Sequence, residues 1–226
     1  MSEKIIIVVG FDQREAVAFH TFTQSILEKA SLPVAFIPLA INTLNNYKET
    51  HTDKSNDFIY TRFLTPYLNN FKGWAIFADG DMVCKSDIKE LWDLRDESKA
   101  VIVVKHNYQT KSRQKYLGNI NENYPRKNWS SLILWNCGHP KNQTLTPNFI
   151  SQQTGKFLHR FSWLNDEDIG DLPLEWNWLA IEYPINKEAK LIHFTLGTPC
   201  FLEYQDTDMA SEWFSVHKRA LEGLGK

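Results

Sequence analysis

The sequence predicts an α/β fold: a mostly parallel central sheet flanked by helices, built as a single domain over residues 1–226. Three observations predict it. The chain opens as strand, helix, strand. Further short apolar runs recur between polar, turn-like stretches. One of these runs, residues 74–78, stops abruptly at Asp79-Gly80-Asp81, the place where an open α/β sheet binds its ligands.

Residues 5–9 are a continuous apolar run, as expected of a strand buried on both faces. Gly10-Phe-Asp12-Gln-Arg14 ends it. Ala16, Phe19, Phe22, Ile26 and Ala30 are then spaced for one buried helical face, and residues 34–39 follow Pro33 as a second strand. A β-α-β opening implies a right-handed crossover and a parallel pair. Asp12 reads either as an ordinary turn residue or as a base or ribose contact at a strand end. Residues 42–56 are polar and irregular, a surface loop. Residues 57–65 read as a helix capped near residues 55–57, with Ile59 and Phe63 on one face and Pro66 forcing a break or a new turn. Arg62 is the strongly basic residue of that apolar segment. It either snorkels to solvent, pairs with an acid, or presents its planar fork to a phosphate or sugar.

Residues 69–73 are turn-like, and the strand after them delivers two carboxylates one residue apart. Two such anions repel, and a divalent cation removes the cost; hard oxygen ligands suit Mn²⁺ or Mg²⁺. Gly80 between them permits a sharp turn or the close approach of a ligand. The alternative is a strand-end turn without metal, since Asp-x-Asp recurs at Asp166/Asp168 and Asp206/Asp208, the last as a solvated turn. Residues 86–94 read as a helix with a serine cap and residues 100–104 as a strand. Residues 105–127 differ in texture: seven basic side chains stand against Glu122, with Tyr108, Tyr116 and Tyr124 interleaved. That is either a solvated loop or a flap facing substrate through Lys111, Arg113 and Lys115. Residues 129–135 are a strand ending in Asn136, and residues 147–155 a short helix. Asp166, Glu167 and Asp168 sit in an aromatic setting, as acids favoured at a helix start or as carboxylates facing a reaction centre. A last core strand ends in His193, a core histidine or a nitrogen donor completing a carboxylate metal site, before a turn at Gly197. Residues 211–224 form a terminal amphipathic helix.

Composition narrows the class. With 42% apolar and 13% aromatic residues the chain buries a sizeable core, and its net charge of −2 supplies no global attraction to nucleic acid or membrane. The apolar run at residues 5–9 is too short for a signal peptide, and no run approaches a membrane span. Cys84, Cys137 and Cys200 lack zinc-type spacing and fit free thiols of a reducing cytosol, so a cytoplasmic location is expected and the sequons at Asn128 and Asn142 are chance matches.

In this order the pieces resemble glycosyltransferase family 8, nucleotide-sugar enzymes of the GT-A fold with a Rossmann-like sheet, and its short bacterial and phage-type members above all. The resemblance rests on the first strand ending near Asp12, Tyr60-Thr-Arg62, Asp79-Gly-Asp81, Ser130-Ser-Leu-Ile-Leu-Trp-Asn136, Asp166-Glu-Asp-Ile169, and His193-Phe followed by Gly197. It implies that Asp79, Asp81 and His193 hold Mn²⁺ against the diphosphate of a UDP-sugar. Asp12 then lies by the base, Arg62 by the donor sugar and phosphates, and Ser130 and Ser131 beside the donor. Gly197 belongs to the donor-binding turn, Asp166 holds a sugar hydroxyl, and Glu167 stands under the reacting carbon where the family often has Gln. Family members retain anomeric configuration. The chain departs from the family at Gly197-Thr-Pro199-Cys200, which lacks the Lys and Trp usual there, so Arg62, Arg14 or the basic 105–127 segment is expected to meet the diphosphate. A saccharide, lipid-linked or other small acceptor is expected, either soluble or met through loose rather than tethered membrane contact.

Three other readings compete. A nucleotidyltransferase calls for a glycine-rich basic loop after the first strand, which Gly10-Phe-Asp-Gln-Arg14 does not supply. A non-catalytic nucleotide-sugar or carbohydrate-binding protein would use the eight Trp and eight Tyr for stacking. A glycosyltransferase acting on modified nucleobases is permitted by the basic, Tyr-bearing segment but not encouraged by the mild overall acidity.

Overall fold

The structure, a computed structural model, describes residues 3–52, 56–115 and 118–222. The expected cap at Ser55, Tyr116 of the basic segment, and the end of the last helix at Leu224 lie outside them.

Six strands form the central sheet in the order β2-β1-β3-β6-β5-β7: β1 Ile5–Gly10, β2 Val34–Leu39, β3 Trp74–Ala78, β5 Val101–Val103, β6 Leu132–Asn136 and β7 Ile169–Asp171. β1 pairs parallel with β2 and β3, and β5 with β7, while β6 runs antiparallel between β3 and β5. The sheet is therefore mostly parallel with one reversed strand. Alternation along its strands divides the core in two. Val8, Phe77, Ile133 and Trp135 face one apolar cluster, and Ile7, Val9, Ile76 and Leu134 face the other. Burial on both faces is why β1, β3, β5 and β6 read as unbroken apolar runs, whereas β7, Ile169-Gly-Asp171, does not. β2 lies at an edge, which accommodates Pro38 in mid-strand.

Several helices differ from expectation. α1 Ala16–Leu27 buries Ala18, Thr21, Phe22, Ser25 and Ile26, so its inward stripe is centred two residues past Ala16, and Ala30 lies beyond its end. Residues 57–65 are not one helix. Turns lead into a 3-10 segment, Thr61–Leu64, and then α2 Thr65–Leu68, with Pro66 in the first turn, where its missing N–H costs nothing. In α3 Ile88–Trp92 the cap is Asp87, which accepts from the Lys89 amide, and not Ser86. The segment read as one short helix at residues 147–155 is two, α4 Pro147–Gln152 and α5 Gly155–His159, each capped by a threonine. α6 Ala210–Glu222 packs on α1 through Trp213 and Val216.

A second, smaller sheet, β4-β9-β8, is made by β4 Met82–Cys84, β8 Trp178–Leu179 and β9 Leu191–His193. The strand ending in His193 belongs to this sheet rather than the central one. Met82 pairs with His193, antiparallel, and the Phe194 amide donates to the Asp81 carbonyl at 3.0 Å. The smaller sheet thus delivers a residue distant in sequence to the end of β3. Among the described residues no helix is long and apolar enough to cross a membrane.

Candidate active site

β3 ends at Ala78, and the Asp79 amide still donates to the Ser131 carbonyl at 2.9 Å, so the first carboxylate is fixed by the β3–β6 ladder. Gly80 follows because there is no room for more: a Cβ there would lie 2.5 Å from the Gly10 carbonyl oxygen. What approaches Gly80 is the main chain at the end of β1. Asp81 then leads into β4, opposite His193. Asp79, Asp81 and His193 each offer a ligand atom within 4.8 Å of the others, and all three residues are buried.

His193 is held from behind. Its Nδ1 lies 3.0 Å from Asn177 Oδ1, while Asn177 Nδ2 donates to Ser131 Oγ at 2.8 Å. An amide oxygen only accepts, so Nδ1 carries a proton, and in the neutral ring Nε2 turns its lone pair toward the carboxylates. Nε2 is 3.3 Å from Asp81 Oδ1 and 3.9 Å from Asp79 Oδ2. Asp79 Oδ1 and Asp81 Oδ1 are buried and accept no hydrogen bond. Arg62 Nη1 lies 2.9 Å from Asp79 Oδ1 and relieves its charge without an aligned hydrogen bond. Burial pushes the Asp79 carboxyl up to about 6, Arg62 pulls against that, and Asp81 adds to it. Converging buried acceptors with too few protons are a donor set that fits a hard divalent cation. Asp79, Asp81 and His193 could hold one, keeping other positions for water or phosphate.

Above this cluster opens a cavity of about 640 Å³. Arg62 lines it and is 4% exposed, which removes the snorkelling alternative. Its guanidinium lies between the Phe58 and Phe77 rings, 5.5 and 5.1 Å from their centres, and Nη1 donates to the Ser130 carbonyl at 2.9 Å. Ser130 and Ser131 form a second wall. They precede β6, whose reversed direction puts its start, not Asn136, at this end of the sheet. The basic segment covers the cavity through Lys115, Tyr124 and Lys127. Of the three cations expected on a flap, only Lys115 faces it; Lys111 donates to the Ile181 carbonyl at 2.6 Å and Arg113 is exposed. Burial lowers the Lys127 ammonium to about 8, with Lys115 repelling it.

Other expected site residues lie elsewhere. Asp12 is buried beneath Arg14, which donates to it through its amide and Nε at 2.9 Å each, and it accepts from the Asp57 amide. It caps the short turn after β1 and is absent from the cavity wall. Gly197 packs against the Tyr204 ring, also off the wall. Asp166 and Glu167 are exposed and precede β7, on the side where β5 and β7 begin, whereas Asp79 lies where β3 ends. Asp166, 90% exposed, pairs with Arg126, and Asn165 and Asp168 form a reciprocal cap around them. The helix-start reading of these acids is the one the geometry meets; neither carboxylate reaches the cavity wall. Asp206 and Asp208 lie in an exposed turn, as expected. Sequence reasoning passed over Asn177, although a single amide between Trp176 and Trp178 signalled a buried polar group in need of partners. It also passed over His159, whose Nδ1 is 2.7 Å from Ser130 Oγ.

The family-model match decides the assignment: the model of Glycosyl transferase family 8 matches residues 4–139. The chain belongs to glycosyl transferase family 8. Protein CDI of Arabidopsis thaliana is 42% identical to it over 218 residues, covering 92% of this chain and 84% of that protein. Among solved structures, the bifunctional glycosyltransferase WbbM has a TM-score of 0.61 at 18% identity, covering 98% of this chain; the chain spans 51% of WbbM. The galactosyltransferase LgtC, solved with donor and acceptor sugar analogs, has a TM-score of 0.53 at 10% identity, with 95% of each chain covered. This family 8 glycosyltransferase has the GT-A fold, and its buried Asp79-Asp81-His193 group stands where the strand-end acids led one to look.

Proposed function

We propose that this family 8 glycosyltransferase is metal-dependent and moves a sugar from a UDP-sugar, with retention, to a saccharide, lipid-linked or other small acceptor in the cytoplasm. The observation that carries this is the convergence of Asp79, Asp81 and His193 at the floor of a cavity large enough for a nucleotide-sugar. Family membership supports retention, and the sugar analogs bound to LgtC support a donor and acceptor in one cleft. Three free thiols, two of them buried, support a reducing compartment.

A Mn²⁺ or Mg²⁺ ion held by Asp79, Asp81 and His193 supplies a Lewis acid beside the leaving diphosphate. The chain's own residues do the rest. Arg62 is already oriented by Ser130 and two rings, so it meets developing charge without reorganising. Lys115 stands close enough to feel both Asp79 and Asp81, and takes the place of the family's missing lysine on the diphosphate. The main chain at Gly80 and the wall at Ser130 and Ser131 confine the donor. Asp12 and Gly197 shape the turns behind it. Asp166 and Glu167 are not assigned the chemical step.

A thermal-shift series of nucleotide-sugars with and without Mn²⁺ tests this, followed by donor hydrolysis. A ligand at a hundredfold excess over its Kd stabilises by about 2.7 kcal/mol. Stabilisation by UDP-sugars only when Mn²⁺ is present, with turnover, is the expected result. Equal stabilisation with and without the ion removes the metal from the proposal.

A further inference from the structure

The cavity holds more positive charge than a metal-bound diphosphate uses. A divalent ion balances Asp79 and Asp81, and Arg62 and Lys115 answer the two charges of the diphosphate. Lys127 is tied down, donating to Asn121 Oδ1 at 2.7 Å and to the Glu122 carbonyl at 2.6 Å. That leaves Lys156 and Arg160, at α5 and just past its end, on the wall beside the Ser130–His159 contact. Neither has a carboxylate within ion-pair distance among the described residues. Arg160 Nε is buried and donates to nothing. Among the described residues the one further acid on the cavity wall is Glu122. The shielded Nε–H is out of a ligand's reach as the side chain stands, so what Arg160 offers the cavity is the outer edge of its guanidinium, which has no carboxylate partner among the described residues. Its fork is shaped for an oxyanion, which it grips bidentately.

Resting on the proposed donor reading, we infer that Lys156 and Arg160 form a receptor for a second oxyanion, a carboxylate or phosphate separate from the diphosphate. The anion is carried either by the transferred sugar, as in a uronic acid, or by the acceptor. The wall faces the same cavity as the cation cluster, but from α5. A neutral sugar on a neutral acceptor leaves both cations unanswered.

Isothermal titration of the full chain in saturating Mn²⁺ separates the cases, using UDP, UDP-glucose, UDP-glucuronate, and inorganic phosphate added to the UDP-loaded protein. If the sugar carries the anion, UDP-glucuronate binds at least about tenfold tighter than UDP-glucose, the effect of one charge-assisted hydrogen bond. If the acceptor carries it, the two donors bind alike and phosphate binds the UDP-loaded protein. In either case Arg160→Gln erases the gain and leaves the Kd for UDP unchanged. Lys156→Gln, at an exposed position, weakens it and keeps the test open should Arg160→Gln not fold. The inference is overturned if neither glucuronate nor phosphate is preferred, or if Arg160→Gln weakens UDP itself to the same extent, which would assign these cations to the diphosphate. Failure of UDP to bind at all with Mn²⁺ is a different result, and overturns the donor reading together with this one.

Discussion

Asn177 Oδ1 sits 3.0 Å from His193 Nδ1, and the same amide reaches Ser131 Oγ at 2.8 Å, so one buried side chain orients a histidine of the smaller sheet and the serine just before β6 of the central one. A ligating histidine depends on the partner of its other nitrogen for tautomer and ring orientation. Asn177→Ala is therefore expected to lower Mn²⁺ affinity by about 10–100-fold. His193→Ala weakens it at least as much. Calorimetric or electron-spin titration with Mn²⁺ reads both. An unaltered titration in either variant returns His193 to the core.

Arg62 and Asp79 form a shielded ion pair, with side chains 5% and 11% exposed. Removing one partner strands the other charge, at a cost of about 3–5 kcal/mol for a buried pair. Arg62→Met should lose that much in urea denaturation of the metal-free protein, and less with Mn²⁺ present, because the ion then neutralises Asp79. A loss below about 1 kcal/mol, the range of exposed pairs, contradicts the arrangement.

Asp79 gives the site a pH signature. Burial is the main cause lifting its carboxyl to about 6 from 3.8, with Asp81 adding to the rise and Arg62 and His193 opposing it. Between those two values the native state holds a proton that the unfolded chain has released. The contribution of this group to metal-free stability therefore falls as pH rises from about 4 to about 6 and is flat above that. Metal binding expels the proton, so Mn²⁺ affinity climbs about tenfold per pH unit toward 6 and then levels off. Titrations at three pH values between 5 and 7.5 check the slope; affinity rising as pH falls would refute it.

β1, β3, β5 and β6 were legible because burial on both faces writes them as unbroken apolar runs, and the acidic tip was legible because β3 delivers it; β7, with a glycine and an exposed aspartate in three residues, leaves no such run. Strand direction leaves no such local mark. The reversal of β6 is set by its pairing with β3, and it moves Ser130 rather than Asn136 to the site. His193 could be suspected from its strand end, yet its meeting with Asp81 depends on a β4–β9 pairing across more than a hundred residues. The α5 wall escaped notice because His159 and Arg160 close a short helix, where basic side chains are ordinary complements to the dipole. Asp166 and Glu167 are the opposite case: their order along the chain suits a catalytic role, while local capping by Asn165 and Asp168 also accounts for acids there.

That placement is itself testable. Both carboxylates are exposed and lie on the side where β5 and β7 begin. Exposed substitutions away from special contacts usually change stability by no more than about 0.5 kcal/mol. Asp166→Asn combined with Glu167→Gln should leave kcat within about a factor of two, because neither carboxylate lies on the cavity wall and the activation barrier is untouched. A loss of more than about tenfold would mean that this segment reaches the cavity during turnover, against the geometry of β7.

Gly80 offers the sharpest separation of backbone from metal effects. A methyl group there would come within 2.5 Å of the Gly10 carbonyl oxygen, a Cβ against main chain, so no side-chain rotation relieves it. The turn carrying Asp79 and Asp81 has to shift away from β1. Overpacking of this kind costs about 1–3 kcal/mol, and here the displacement falls on both carboxylates of the Asp79-Asp81-His193 cluster. Gly73 is the matched control: its φ of +61° penalises a side chain, but nothing lies within 4 Å of the position. Gly73→Ala should cost about 1–2 kcal/mol through conformation alone and leave the Mn²⁺ titration untouched. Gly80→Ala should lower both stability and Mn²⁺ affinity, read by urea denaturation and calorimetry on the same preparations. Equal metal affinity in the two variants would show that the approach of β1 to the acidic turn does not position the carboxylates.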